Sequence, residues 1–185
     1  YKDAIAAHRD GPREDLIHLR LETYRSLGFT YLRDGGDRWG VGQRARALAG
    51  AYGITYRTPL FPIYKRGHYG GFIGRGFDTM EEYRALVQEV RQGGGDFVKI
   101  MISGIMDFTH GGLTEPSLAD SEIRELIHIA HEEGFPVMAH TNGSQAVRAA
   151  ALTGVDSIEH GNFCDEDALL SLIHISEPTR PISIS

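Results

Sequence analysis

The sequence has few of the features that mark secreted, membrane or nucleic-acid-binding proteins. Cysteine occurs once, at Cys164, which excludes an internal disulfide framework and favours a reducing, cytoplasmic setting. No apolar run approaches the ~20 residues that span a bilayer, and no signal-peptide pattern opens the chain. No run of five basic residues occurs and the net charge is −6, so we predict neither nucleic acid nor a membrane as a partner.

What the sequence does contain is a regular alternation of helical and extended segments. Hydrophobic residues make up 41% of the chain, and its 23 glycines suit many short loops. Helical periodicity that ends at a glycine is followed by a short apolar segment about five times, which predicts a parallel sheet with helical crossovers. The predicted strands are Phe29–Arg33, Ile54–Thr58, the segment around Lys99, Pro136–His140 and Asp156–His160. A long glycine-rich loop is predicted from Lys65 to Gly76.

Two α/β architectures fit this alternation, a doubly wound open sheet and part of a (β/α)8 barrel. The first strand–helix turn is Asp34-Gly35-Gly36-Asp37, which is not the glycine fingerprint typical of the doubly wound sheet. In a barrel, functional residues instead follow several different strands at their carboxyl ends. Lys99, His140 and His160 each lie at or near such an end. The sequence therefore predicts a partial (β/α)8 TIM-type barrel, containing about strands 2 to 6.

Lys99 lies in the middle of an apolar strand, where an ammonium group is expensive to bury. A buried lysine with a lowered pKa offers a neutral, nucleophilic amine, and carbon dioxide converts such an amine into a carbamate anion. Imidazoles are good zinc ligands, so His140 and His160 beside Lys99 favour a metal site. Each residue alone also fits a structural role, a hydrogen-bonded strand histidine or a lysine at the rim of a sheet. A Schiff-base enzyme that uses Lys99 is a weaker alternative.

Three segments resemble the central metal motifs of the amidohydrolase superfamily, in its imidazolonepropionase-like and prolidase-like branch. They are Lys99-Ile100-Met101, Met138-Ala139-His140 and Ile158-Glu159-His160-Gly161, and Arg33-Asp34-Gly35-Gly36 supports them. The resemblance runs from about Gly28 to Ala168. It implies a metal-dependent barrel in which Lys99 is carboxylated and bridges two divalent metals, usually zinc, while His140 and His160 bind one of them.

The resemblance also implies the reaction, hydrolysis of C–N bonds by a metal-activated water. The implied partner is a small-molecule amide, such as a dipeptide, an N-acyl amino acid or a cyclic amide. Two candidate substrate-binding residues, His68 and Tyr69, lie in the glycine-rich loop on the predicted active face. They could contact a substrate carboxylate, although a solvated loop is the simpler interpretation.

The chain departs from the family pattern at both ends. The family's His-x-His motif would precede Tyr1, and its metal-binding aspartate, the expected acid/base, would follow the present end, so we assign no catalytic residue here. We expect residues 1–171 to form a partial hydrolase barrel with bare sheet edges, which makes a homo-oligomer possible. Residues 172–185 stop following the pattern, and we expect a non-native or irregular tail. The alternative function is an inactive partial barrel that serves only as a binding or assembly module.

Overall fold

The computed structural model of the chain describes residues 6–176, with side chains up to residue 172. No helix within these residues has the length and apolar character needed to cross a membrane. The helices are α1 (Glu14–Ser26), α2 (Val41–Ala49), α3 (Met80–Gln92), α4 (Asp120–Glu132), α5 (Ser144–Leu152) and α6 (Glu166–Ser176). The strands are β1 (Tyr31–Arg33), β2 (Thr55–Arg57), β3 (Pro62–Lys65), β4 (Arg75–Phe77), β5 (Val98–Met101), β6 (Met106–Asp107), β7 (Gly112–Leu113), β8 (Val137–Thr141) and β9 (Ser157–His160).

The strands that carry the fold are all parallel. Strands β1 and β2 pair with each other, and a five-stranded sheet runs in the order β4-β3-β5-β8-β9. The two sheets are joined along the chain, because β2 ends at Arg57 and β3 begins at Pro62. The backbone N–H of Asp96 also donates to the carbonyl of Thr58 in this connection, at 2.9 Å. The parallel sheet with helical crossovers confirms the predicted fold class.

The predicted loop from Lys65 to Gly76 is wrong at both of its ends. Lys65 is the last residue of β3, and β4 begins at Arg75. The sequence hides these strands because Pro62 reads as a strand breaker and Gly76 as a loop residue. A proline is tolerated as the first residue of a strand, where its missing N–H breaks no ladder bond, and a strand glycine marks close backbone approach. A Cβ at Gly76 would indeed lie 3.0 Å from the Tyr64 ring.

Alternation along the central strands separates a core face from a cavity face. Val98 and Ile100 are 0% and 1% exposed and belong to the main hydrophobic cluster, with residues of α3 and α4. The register pairs Lys99 with Met138 and Met101 with His140. Paired residues of parallel strands point to the same face, so these four side chains share the opposite face. All four residues of β5 are buried, so Lys99 lies between a helical layer and a cavity rather than at the rim.

The ends of the described chain bear on the domain boundary. Helix α6 continues to Ser176, five residues past the predicted boundary at residue 171. Residues 177–185 lie outside the described residues, and the division into barrel and tail stays a prediction. Within residues 6–176, four strands of the parallel sheets, β1, β2, β4 and β9, each pair with a single neighbour. The two bare edges of a partial barrel and a homo-oligomer stay predictions.

Asp96 connects the β2–β3 segment to β5 and provides a stability prediction. Its carboxylate accepts hydrogen bonds from Arg57, Arg46 and the Thr58 N–H, at 2.7, 3.2 and 2.9 Å. Burial alone would raise its pKa, but these donors hold the pKa below its usual value. We expect Asp96→Asn to lower the free energy of unfolding by about 1–3 kcal/mol at pH 7, measured by urea denaturation.

The pH dependence distinguishes this effect from a general loss of packing. A carboxylate with a lowered pKa stabilises the fold above its unfolded-state pKa, and that contribution disappears as the pH falls through its folded-state value. The parent and Asp96→Asn should therefore converge in stability toward pH 3. Asp15→Asn is the matched control, because its ion pair with Arg13 is largely exposed and should contribute little to stability. An equal loss at pH 7 and pH 3 would contradict the electrostatic explanation.

Candidate metal and substrate site

Lys99, His140 and His160 come from three adjacent strands and line one cavity of about 530 Å³. The register pairs Met101 with His140 and Thr141 with His160, so β5, β8 and β9 end at a similar level. This is the arrangement that strand-end residues of parallel strands produce at one edge of a sheet. The structure therefore brings the three sequence-predicted metal residues together.

The Lys99 side chain is in an environment that disfavours its charged form. The residue is 5% exposed, and burial lowers its pKa to about 8 from the ordinary value of 10.5. The carboxylate of Glu159 acts in the opposite direction, and the guanidinium of Arg33 lowers the pKa further. An amine with such a pKa is neutral in an appreciable fraction of molecules near pH 8, which is the form that reacts with electrophiles.

His140 is held as a neutral imidazole. The residue is 4% exposed, and burial, with His160 and Lys99 nearby, lowers its pKa to about 4. Its Nε2 lies 3.4 Å from the Gly104 carbonyl oxygen and 3.5 Å from Nδ2 of Asn142. A neutral imidazole keeps a nitrogen lone pair, so His140 is available as a ligand at neutral pH.

His160 reaches the same place through an unusual backbone conformation. It is the last residue of β9, and its φ of 77° lies in the left-handed region, which is uncommon for a residue other than glycine. Its ring centroid lies 4.7 Å from that of His140, in an edge-to-face arrangement. Strained backbone often occurs at functional sites, where the surrounding structure compensates for its cost.

A buried amide holds the loops that follow the strands in position. Asn142 is 2% exposed, donates to the Gly104 carbonyl at 3.1 Å, and accepts from the Asn162 side chain at 3.0 Å. Its backbone N–H also donates to Ser103 Oγ at 2.7 Å. Asn142 therefore connects the loops after β5, β8 and β9.

An ion pair crosses the cavity between the first and the last strand. Arg33 of β1 donates to Glu159 Oε1 at 3.1 Å and to Ser157 Oγ at 3.2 Å. Ser157 Oγ in turn donates to the same Glu159 oxygen, at 2.7 Å. The role of Arg33 could not be predicted from the sequence, because no local pattern around a strand-end arginine indicates a partner 126 residues away. The only available hint was its position directly before the Asp34-Gly35-Gly36 turn.

The two predicted substrate-binding residues have different surroundings. The Tyr69 ring stacks on His140, with centroids 4.9 Å apart and planes at 25°, and it lines the cavity. His68 is absent from the cavity lining in the described part of the chain. It lies instead near Glu122 at the start of α4, where it contributes to lowering the pKa of that carboxyl. The structure therefore brings Tyr69 to the site and leaves His68 beside it, and substrate binding by either stays a prediction.

Asp34 also lines the cavity. Its shifted pKa allows a prediction of how the stability of the fold changes with pH. Burial raises its pKa to about 6, although Thr58 and Tyr56 donate hydrogen bonds to it. Between about pH 4 and pH 6 the folded state then holds a proton that the unfolded state has released. The free energy of unfolding should therefore fall as the pH rises through this window. In Asp34→Asn this decrease should be smaller by on the order of 1–2 kcal/mol.

The measurement is the free energy of unfolding at pH 4, 5, 6 and 7 for the parent and for Asp34→Asn. Asp10→Asn, at an exposed position, is the matched control and should leave the pH profile unchanged. An Asp34→Asn profile that parallels the parent across the window would show that Asp34 titrates normally.

The donors at this site fit a divalent metal in part. Two imidazoles in ring contact supply nitrogen ligands of the kind that zinc binds. Within residues 6–176, no group of three His, Cys, Asp or Glu side chains is arranged to hold a metal ion. The chain therefore offers two histidine ligands, and a third ligand depends on chemical conversion of Lys99 or on groups outside the described residues.

Comparison with known proteins gives partial matches over most of the chain. No family model matches it. The exoenzymes regulatory protein AepA of Pectobacterium carotovorum subsp. carotovorum is 26% identical over 137 residues, which cover 68% of this chain and 28% of that protein. An uncharacterised protein of Mycobacterium tuberculosis is 25% identical over 174 residues, or 90% of this chain and 44% of that protein. The chain thus spans less than half the length of these relatives.

Solved structures match more uniformly. A prolidase complexed with N-methylphosphonate-L-proline is 27% identical with a TM-score of 0.62, over 84% of this chain and 42% of that chain. An amidohydrolase is 25% identical with a TM-score of 0.60, also over 84% and 42%. A Xaa-Pro dipeptidase with methionine bound in its active site is 24% identical with a TM-score of 0.69, over 89% and 46%, and supports the fold. All three of these neighbours are hydrolases by name.

Proposed function

We propose that this chain, which is related to the amidohydrolase superfamily, carries part of the active site of a metal-dependent hydrolase for C–N bonds. The observation that carries the proposal is the meeting of Lys99, His140 and His160 in one cavity. Two observations support it. His140 is neutral, which is the form that binds a metal. The pKa of Lys99 is lowered, which favours the neutral amine that carbamate formation needs.

In this proposal His140 and His160 would hold a divalent metal, zinc being the first candidate, and carboxylated Lys99 would be a ligand that it shares with a second one. The metal would supply a Lewis acid that polarises the amide carbonyl and lowers the pKa of water. Asn142 keeps the loops around His140 in place, and the Arg33–Glu159 pair keeps a compensated charge beside Lys99. The proposed substrates are small amides, namely dipeptides, N-acyl amino acids or cyclic amides.

The test compares two proteins, the 185-residue chain and a version extended by the coding sequence that flanks it in the gene. Each is loaded with zinc in bicarbonate buffer and assayed for amine release from dipeptides and N-acyl amino acids. We expect turnover by the extended protein, loss of turnover and of bound metal in its Lys99→Ala variant, and none above background for the 185-residue chain. Unchanged metal content and turnover in Lys99→Ala would remove the carbamate role.

A second candidate function is a partial barrel without catalysis that binds metal weakly or assembles with another chain. The observation that favours it is the donor set, because the described residues supply two histidines and no third His, Cys, Asp or Glu ligand. The two functions differ in one outcome. An extended protein that binds zinc stoichiometrically and hydrolyses none of the amides would favour the second.

A further inference from the structure

One side of the cavity is apolar and incompletely covered. Tyr69, Phe72, Ile73 and Ile105 line it there, and we call these four residues the apolar rim. Phe72 is 39% exposed and Ile105 is 42% exposed. The same cavity is also lined by Lys99, the two histidines and the Arg33–Glu159 pair, which we call the polar wall. The cavity therefore combines polar, reactive groups with an apolar rim.

The loop that supplies most of the apolar rim is attached firmly to the sheet. Gly70 has a φ of 130° and is buried, and a Cβ there would lie 2.6 Å from the Cβ of Tyr64. Its carbonyl accepts from the N–H groups of Ile73 and Gly74, at 3.1 and 2.9 Å. Arg38 donates to the carbonyl of the next residue at 3.3 Å. The rim is therefore preorganised, so little ordering entropy opposes binding there.

The rim is also placed directly against the polar wall. The Tyr69 ring contacts the rings of both His140 and Phe72. Its centroid lies 4.9 Å from that of His140 and 5.3 Å from that of Phe72. A planar group that enters the cavity beside Phe72 and Ile105 would thus be separated from the histidines by the ring of Tyr69. Aromatic and large aliphatic groups gain the most from such a position, through apolar burial and offset or edge-to-face ring contacts.

We propose that the apolar rim is a specificity subsite for an aromatic or large aliphatic side chain of the substrate, adjacent to the amide that faces the metal residues. The inference rests on the proposed function, since it names the substrate class of the same site. It predicts a preference for phenylalanine-like over glycine-like N-acyl amino acids. Phe72 is the principal determinant, because its ring lines the cavity and is exposed without substrate.

The experiment measures binding rather than turnover, using N-acetyl-L-phenylalanine and N-acetylglycine in calorimetric titrations of the 185-residue chain. The two probes share the amide and the carboxylate and differ only in the benzyl group. We expect the phenylalanine probe to bind about tenfold more tightly. Phe72→Ala should reduce the ratio to about twofold or less, and Phe72→Leu should retain most of it. Phe108→Ala is the matched control, because Phe108 is 81% exposed and does not line the cavity.

The possible outcomes test the proposed subsite and the proposed hydrolysis separately. Equal affinity for the two probes, no binding of either at millimolar concentration, or an unchanged ratio in Phe72→Ala would each overturn the subsite. Far-UV circular dichroism of each variant verifies that a lost preference does not reflect unfolding. Product analysis of the same two probes after incubation with the extended protein tests the proposed function independently. A benzyl preference that depends on Phe72, together with no hydrolysis by the extended protein, would support the subsite and count against the hydrolase.

Discussion

Replacing His140 by alanine is expected to lower the zinc affinity of the chain by about 100-fold or more. Even residues that only orient metal ligands typically contribute 10–100-fold, and His140 is proposed as a direct ligand. It is buried, neutral at pH 7 and in ring contact with His160. The measurement is a competition titration of zinc between the chain and a chromophoric chelator at pH 7.5.

The same titration on His160→Ala should show a similar loss, because the two rings act together. His128→Ala is the matched control, since its side chain is 72% exposed on α4 and pairs with Glu132. Zinc affinity that drops equally in His128→Ala and His140→Ala would locate the metal on the surface instead of in the cavity. Affinity that is unchanged in both cavity variants would remove the proposed metal site.

Replacing Tyr83 by alanine is expected to destabilise the fold by about 3–5 kcal/mol, the usual cost of truncating a buried aromatic residue. Tyr83 of α3 is 0% exposed and packs against Phe77 of β4, with ring centroids 5.3 Å apart. Its hydroxyl donates to the Leu126 carbonyl of α4 at 3.0 Å. Its side chain thus connects two helices and the edge strand, and urea denaturation measures the loss.

Tyr83→Phe separates the two contributions, since it keeps the ring and removes the hydroxyl. It should cost about 1 kcal/mol, the usual net value of one hydrogen bond. Tyr24→Ala is a matched control, because Tyr24 is 40% exposed on α1 and should cost well under half as much as Tyr83→Ala. If Tyr83→Ala unfolded no more easily than Tyr24→Ala, α3 would not pack against α4 in solution as the structure has it.

Much of the fold could be predicted because its signals are local. Five of the strands that form the two parallel sheets, β1, β2, β5, β8 and β9, coincide with the segments predicted from short apolar runs between glycines, although β8 ends one residue later than predicted. Alternation between helices and strands indicates a parallel sheet, since parallel strands need crossover connections. The carboxyl-end positions of Lys99, His140 and His160 follow from the same pattern, and the cavity lined by all three agrees with it.

The remainder of the site depends on distances that no local pattern encodes. Tyr69 and His68 are neighbours in the sequence, yet one lines the cavity and the other lies near Glu122. Strands β3 and β4 were hidden by proline and glycine, which signal loops unless a neighbouring strand accepts them. The position of Phe72 at the cavity depends on how tightly Gly70 packs on Tyr64.

The sequence by itself therefore determined the order of the elements, the parallel sheet and the three strand-end residues that define the candidate metal site, because periodicity and glycine stops act over a few residues. Only the tertiary structure decided the protonation of Lys99 and His140, since the low pKa of Lys99 comes from burial and the charge of Arg33, and that of His140 from burial and the charges of His160 and Lys99. It alone also decided the pairing of Arg33 of β1 with Glu159 of β9 and the apolar rim of the cavity, because both depend on contacts between segments that are distant in the sequence.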